Sequence, residues 1–318
     1  MKKIKQLIAM AGLPAFAQAS EVAVQEQPDI WMKVTPTNVD TDVPWIIAGF
    51  EDPNLQYGPA PVDHGYIDFL QSAATIGNWI FASVVLVAVL FTVFLLINGR
   101  AKLEHGFSGK LVDRWSSLDV FLHWIVAIPC VVLILTGLFI GSGGEWFQGM
   151  MSAERFAEFI KVNVVLHNFV AIPFAVAAVV MMLKWMPKQI PAAYDIAWFA
   201  KLGGYINFGK KGAHPDAGFA NAGEKAFYWT FVIFGMILIG SGVAMLFPQW
   251  IGGVDANGAN LALILHIISA VVLGAFSVVH IYMATAMSEG GLECMLSGKC
   301  DENWAKQHHN LWFAKLNK

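Results

Sequence analysis

The sequence predicts an all-α membrane protein in which four transmembrane helices form a bundle and one extra transmembrane helix precedes them. Three observations carry that prediction. Apolar residues make up 57% of the 318-residue chain and charged residues only 14%, where an ordinary soluble domain is roughly a quarter charged. A mean hydropathy of +0.56 means more apolar surface than one core of this size buries, so lipid must cover part of it. The apolar residues are also gathered into five runs, each long enough to cross a bilayer. The net charge of -3, from 20 Lys and Arg against 23 Asp and Glu, argues against a nucleic-acid partner.

In chain order, residues 1–19 run from three lysines through a short apolar stretch to Ala17-Gln18-Ala19, the small-x-small pattern of a signal-peptidase site. The alternative is an uncleaved amphipathic start, because the apolar stretch is short and holds Pro14. Residues 20–73 set a lone Lys33 against nine acidic residues among many Pro, Asp and Asn, and are expected as a loop-rich segment outside the membrane. The apolar runs follow at about 74–97, 119–141, 160–184, 226–248 and 261–285. The first is the extra helix, and residues 98–318 hold the bundle and a polar tail.

The connections fix an orientation. Residues 98–118, 184–225 and the tail carry 14 of the 20 basic residues, while the opposite side carries Lys33, Arg155 and Lys161. Cytoplasmic loops near membrane spans retain Lys and Arg. The tail is therefore expected in the cytoplasm of a bacterial inner membrane, with residues 20–73 on the exported, periplasmic side. That agrees with the leader. Three cysteines make no disulfide framework, and Cys294 and Cys300 lack the second pair that a zinc site needs, so Cys130, Cys294 and Cys300 are read as structural or incidental.

Four of the nine histidines, His123, His167, His266 and His280, lie inside apolar runs. An ionisable side chain in a membrane helix is costly and usually faces the bundle interior with a definite partner. One such histidine would pass as a helix contact; four at matched depths need more. His123 and His280 lie near the cytoplasmic ends of their helices, His167 and His266 near the exported ends. His266 and His280 are 14 residues apart, which puts them about 40° apart around one helix and about 21 Å apart along it. Two facing pairs at two levels match bis-imidazole ligation of two haem irons. A single zinc or copper ion fails on distance. A proton relay or transporter would normally add membrane carboxylates, and the five runs hold only Asp119. Ala270, Gly274 and Ser277 on the shared face would admit a flat ring or, equally, a neighbouring helix.

From about 110 to 318 the sequence resembles the cytochrome b (gamma) subunit of membrane-bound formate dehydrogenase. The resemblance rests on VDRWSSLDVFLHW with its following TGL, VVLHNFVAIPF, NAGEKAFYW, LHIISAVVLGAFSVVHIYMA and the tail WAKQHHNLWF. Related cytochromes b of nickel-iron hydrogenases and thiosulfate reductases share the design. The resemblance implies a four-helix di-haem bundle with His123 and His280 on the cytoplasmic-side iron and His167 and His266 on the exported-side iron. It also implies a menaquinone or ubiquinone site near His280 and Asn221, although Asn221 would serve equally as a helix N-cap. The implied partners are a molybdenum or tungsten catalytic subunit and an iron–sulfur subunit, where the formate chemistry takes place. His308 and His309 are expected at the cytoplasmic surface, in contact with a partner or solvated.

Overall fold

The computed structural model describes residues 64–206, 214–251 and 256–316. The expected leader at 1–19 and the acidic segment up to residue 63 lie outside the described residues. Ile76–Lys318 forms one compact unit, and the contacts below lie within it. Of the other unit, Met1–Thr75, the described residues are helical from His64 onward.

In order, the chain forms α1 (His64–Asn98), β1 (Leu111–Asp113), α2 (Ser117–Phe147), α3 (Ala153–Trp185) and a short α4 (Tyr194–Ala200). Then follow α5 (Ala222–Leu246), α6 (Ala256–Ile281), α7 (Glu293–Ser297), β2 (Lys299–Asp301), α8 (Glu302–His308) and α9 (Asn310–Leu316). Five helices, α1, α2, α3, α5 and α6, are long and apolar enough to cross a membrane, with mean hydropathy of 2.1 to 2.7 over their spanning windows. Large apolar side chains such as Phe169, Val176, Ile233 and Leu265 stand exposed on them, a surface suited to acyl chains rather than water.

Every one of these helices starts before its apolar run does. Hydropathy marks what lipid must cover, whereas a helix starts where its first N–H groups find acceptors. The Ser116 hydroxyl accepts from Asp119 N at 3.2 Å ahead of α2, and Ser152 Oγ accepts from Arg155 N at 3.4 Å ahead of α3. At α5, Asn221 Oδ1 accepts from Glu224 N at 2.9 Å while Glu224 Oε2 accepts from Asn221 N at 3.0 Å, a reciprocal capping box. Helix α1 reaches back to His64, into a stretch expected as loop, because no proline interrupts the chain between Pro61 and Pro129. Pro129 and Pro173 lie inside α2 and α3, as membrane helices tolerate.

Helix α2 runs along α3, and α5 along α6, with further contacts of α3 to α5 and α2 to α6. Helix α1 meets the chain just past the end of α6, where Thr92 Oγ1 and Tyr282 OH lie 2.5 Å apart. A Cβ on Gly274 of α6 would stand 3.5 Å from Val84 of α1 and 3.9 Å from Ile134 of α2. That glycine therefore serves helix packing. Past α6 the chain widens into a π-helical stretch, Tyr282–Met287, a form that often marks functional sites.

The three basic segments meet at one end of the helices. Strands β1 and β2 pair antiparallel, with Val112 opposite Cys300. Ala101 bridges Ser288, and Leu311 N donates to Ala217 O at 3.1 Å. At their centre Arg114 is buried, donating from Nη2 to Phe219 O at 2.7 Å and to both Glu224 oxygens at 3.1 Å. Trp304 and Phe219 stand 5.0 and 5.2 Å from its guanidinium. Cys294 and Cys300 are buried free thiols beside it. His308 and His309 correct the sequence reading: neither faces solvent, and they are 5% and 0% exposed. His309 Nδ1 donates to Gly218 O at 2.9 Å and its ring packs against Trp304. The tail docks its histidines inward because the aromatic residues beside them bring them into this core.

Candidate functional site

The four membrane histidines meet two by two. The ring centres of His123 on α2 and His280 on α6 are 6.4 Å apart, and those of His167 on α3 and His266 on α6 are 6.3 Å apart. Among the described residues no three His, Cys, Asp or Glu side chains converge as a metal cluster would. An imidazole nitrogen binds a metal at about 2.0–2.1 Å and the ring centre lies about 1.1 Å behind it, so two imidazoles on opposite sides of one iron hold their centres about 6.3 Å apart. Both pairs have the spacing that a bis-imidazole haem requires. Their interplanar angles of 50° and 62° are compatible with it, since each ring can turn about its iron–nitrogen bond.

The two pairs are held differently. His167 Nδ1 lies 2.8 Å from Thr136 Oγ1 on α2, and His266 Nδ1 lies 3.0 Å from Ser241 Oγ on α5. Both hydroxyls are committed as donors one turn back along their own helices, to Val132 O at 2.8 Å and Ile237 O at 2.7 Å. With its proton given to a carbonyl, each hydroxyl oxygen is free to accept from the imidazole. That arrangement favours the Nδ1–H tautomer, in which Nε2 keeps the free lone pair that a metal ligand needs. The glycine after each hydroxyl, Gly137 or Gly242, puts its backbone near the histidine's Cε1, at 3.5 and 3.6 Å from the position of a Cβ. At the other level, His123 Nδ1 is buried without a hydrogen-bond partner among the described residues. The ring of His123 runs parallel to Trp185 at 6.3 Å, and that of His280 stacks on Phe227 at 4.2 Å and 10°.

Sequence reasoning singled out the histidines but missed Thr136, Ser241 and Phe227 as their neighbours. The signal was present as a hydroxyl residue followed by glycine deep in the span facing each exported-side histidine, Thr136-Gly137 and Ser241-Gly242. TGL had weight only as part of a resemblance. Of the small residues expected to face a ring, Ser277 contacts the Cys130 thiol. Asn221 is 8% exposed and acts as the α5 cap. The cap uses Oδ1 alone, so the structure bears out the capping reading without removing the amide nitrogen as a donor. Asp119, the carboxylate in the apolar runs, accepts from Lys184 Nζ and from Trp185 Nε1 at 2.8 Å. It ties α2 to the end of α3.

Similar proteins carry the same kind of chemistry in their names. A profile of the prokaryotic cytochrome b561 family matches residues 114–298, a stretch holding all four membrane histidines. The cytochrome b556(Fdn) subunit of the nitrate-inducible formate dehydrogenase of Escherichia coli (strain K12) is 25% identical over 210 residues, 66% of this chain and 93% of that one. The cytochrome b556(fdo) subunit of formate dehydrogenase from the same strain is 27% identical over 208 residues, 65% of this chain and 94% of that one. The formate dehydrogenase cytochrome b556 subunit of Haemophilus influenzae is 28% identical over 194 residues, 61% and 78% of the two chains. With five membrane-spanning helices and the profile match across more than half its length, the chain belongs to the prokaryotic cytochrome b561 family and is a multi-pass membrane cytochrome b.

Proposed function

We propose that the chain is the membrane-anchoring di-haem cytochrome b subunit of a respiratory formate dehydrogenase. In this reading α2, α3, α5 and α6 form the haem-binding bundle and α1 is the extra helix. His123 and His280 hold one b haem near the cytoplasmic face, and His167 and His266 hold the other near the exported face. The observation that carries the reading is the spacing of the ring pairs, 6.4 and 6.3 Å. A bound b haem supplies a one-electron carrier. The chain's own part is to present Nε2 lone pairs, to keep the rings from turning, and to enclose both sites in apolar side chains that exclude water.

The function is to pass electrons from an exported-side iron–sulfur subunit to menaquinone or ubiquinone near the cytoplasmic face. The names of the relatives support formate as the donor. Cys130, Cys294 and Cys300 cannot supply a four-cysteine cluster, so the iron–sulfur and molybdenum or tungsten chemistry belongs to partner subunits. The convergence of the three basic segments at one helix end supports a cytoplasmic tail, by retention of positive loops. The leader and the segment at 20–73 are then exported. At the cytoplasmic end, the N-terminus of α5 adjoins His280 through the Phe227 stack, and the Asn221 amide nitrogen is the group to donate to a quinone carbonyl. Inward electron flow with cytoplasmic proton uptake builds membrane potential, each charge being worth about 2.3 kcal/mol per 100 mV.

A reduced-minus-oxidised spectrum of the purified protein tests the haem reading, and two b-type components are expected. A flat spectrum would end it in favour of a non-haem anchor or transporter. Adding formate or hydrogen to native membranes tests the donor: formate should reduce the haems, whereas reduction by hydrogen alone would assign the chain to a hydrogenase.

A further inference from the structure

The same device holds both histidines at one membrane level. Thr136 on α2 meets His167 on α3, and Ser241 on α5 meets His266 on α6, each hydroxyl bonded back to its own helix. At the other level His123 Nδ1 has no partner among the described residues and His280 lies flat on Phe227. Helix α6 contributes a histidine to each level, so the contrast arises from the neighbouring helices rather than from α6.

A ring N–H that donates to an acceptor gives its imidazole part of the character of an imidazolate. The opposite nitrogen then donates more strongly to iron, which favours the ferric over the ferrous state. A hydroxyl whose own proton is already given to a carbonyl is a better acceptor than a free one, because bonds in a chain polarise one another. The unpartnered Nδ1 of His123 has no such acceptor among the described residues. We propose that Thr136 and Ser241 are positioning residues that fix the tautomers of His167 and His266 and hold the haem between them at a lower midpoint potential than the haem between His123 and His280. This rests on the ligand assignment proposed above. Its consequence is directional: electrons entering at the His167/His266 level move toward a higher potential when they reach the quinone end.

The structural alternative is that the two hydroxyls only pack helices, as Ser and Thr commonly do in membranes. A potentiometric titration separates the two, read from b-type absorbance of the haem-loaded complex. Thr136→Val keeps the shape and removes the hydroxyl; Ser241→Ala removes it with less bulk. Each should raise the lower midpoint potential, the double variant should raise it further, and the higher potential should stay. Thr136→Ser and Ser241→Thr keep the hydroxyl and should titrate as the parent. Two bound haems with an unmoved lower potential in the double variant would overturn this proposal and leave the ligands standing. A parent protein without two b-type components would overturn the ligand assignment and the proposal together. If Thr136→Val binds no haem, Ser241→Ala decides by the same readout, since alanine fits wherever serine does.

Discussion

At the scale of single residues, the buried charges of the basic end are met by named partners. Arg114 is a buried cation whose charge is met by Glu224 and Phe219 O. Removing one partner of a buried ion pair costs about 3–5 kcal/mol when both are fully buried. Glu224 keeps 36% of its side-chain surface, so screening lowers the expected cost of Glu224→Leu to about 2 kcal/mol. Thermal unfolding in detergent measures it, and an unchanged midpoint would show that the pair contributes nothing. His280→Ala should remove one of two b-type components and abolish quinone reduction, while the other component stays reducible by dithionite. Normal quinone turnover in that variant would show the assignment wrong. The histidines were legible from the sequence because an imidazole among apolar residues stands out. Thr136 and Ser241 were not, since a hydroxyl in a membrane helix satisfies itself on its own backbone and carries no signal until the neighbouring helix is in place.

At the scale of elements, the tail helices α8 and α9 are the part most open to a pH test. Burial, with Arg114 adding to it, pushes the His309 imidazole down to about 3, and burial also holds His308 well below its ordinary value. In the unfolded chain both titrate near 6.5. Above that pH the histidines are neutral in either state and nothing is lost. As pH falls below about 6.5 the unfolded form takes up protons that the docked tail refuses, so tail stability declines until about pH 3. For His309 the loss at pH 5 is about 2 kcal/mol. Hydrogen exchange or limited proteolysis of the tail should accelerate between pH 7 and 5, and His309→Asn should weaken that dependence, leaving the share that His308 carries. Equal rates across this range would contradict the linkage. The five long helices were readable from apolar length alone, whereas their starts and the short helices α4, α7, α8 and α9 were not. The N–H acceptors at Ser116, Ser152 and Asn221 set the starts, and hydropathy does not register them.

At the scale of the whole molecule, the five helices long and apolar enough to cross a membrane among the described residues, and the three basic segments that converge at one end of them, support the proposed topology with a cytoplasmic tail. A fluorescent protein fused after Lys318 should glow, and an alkaline phosphatase fused there should be inactive, since the first folds in the cytoplasm and the second needs export. The reverse pair of results would invert the orientation and the direction of electron flow with it. The amino-acid sequence by itself determined that lipid is the solvent, where the five long apolar runs lie, and how far along them the four imidazoles fall, because these follow from apolar run length and a rise of about 1.5 Å per residue. Only the tertiary structure decided that those imidazoles face each other at 6.4 and 6.3 Å, that hydroxyls support one pair and aromatic rings flank the other, and that His308 and His309 turn inward. Depth is a property of one helix. Facing, support and burial are properties of which helices adjoin, and adjacency is fixed by packing between segments that lie far apart in the chain.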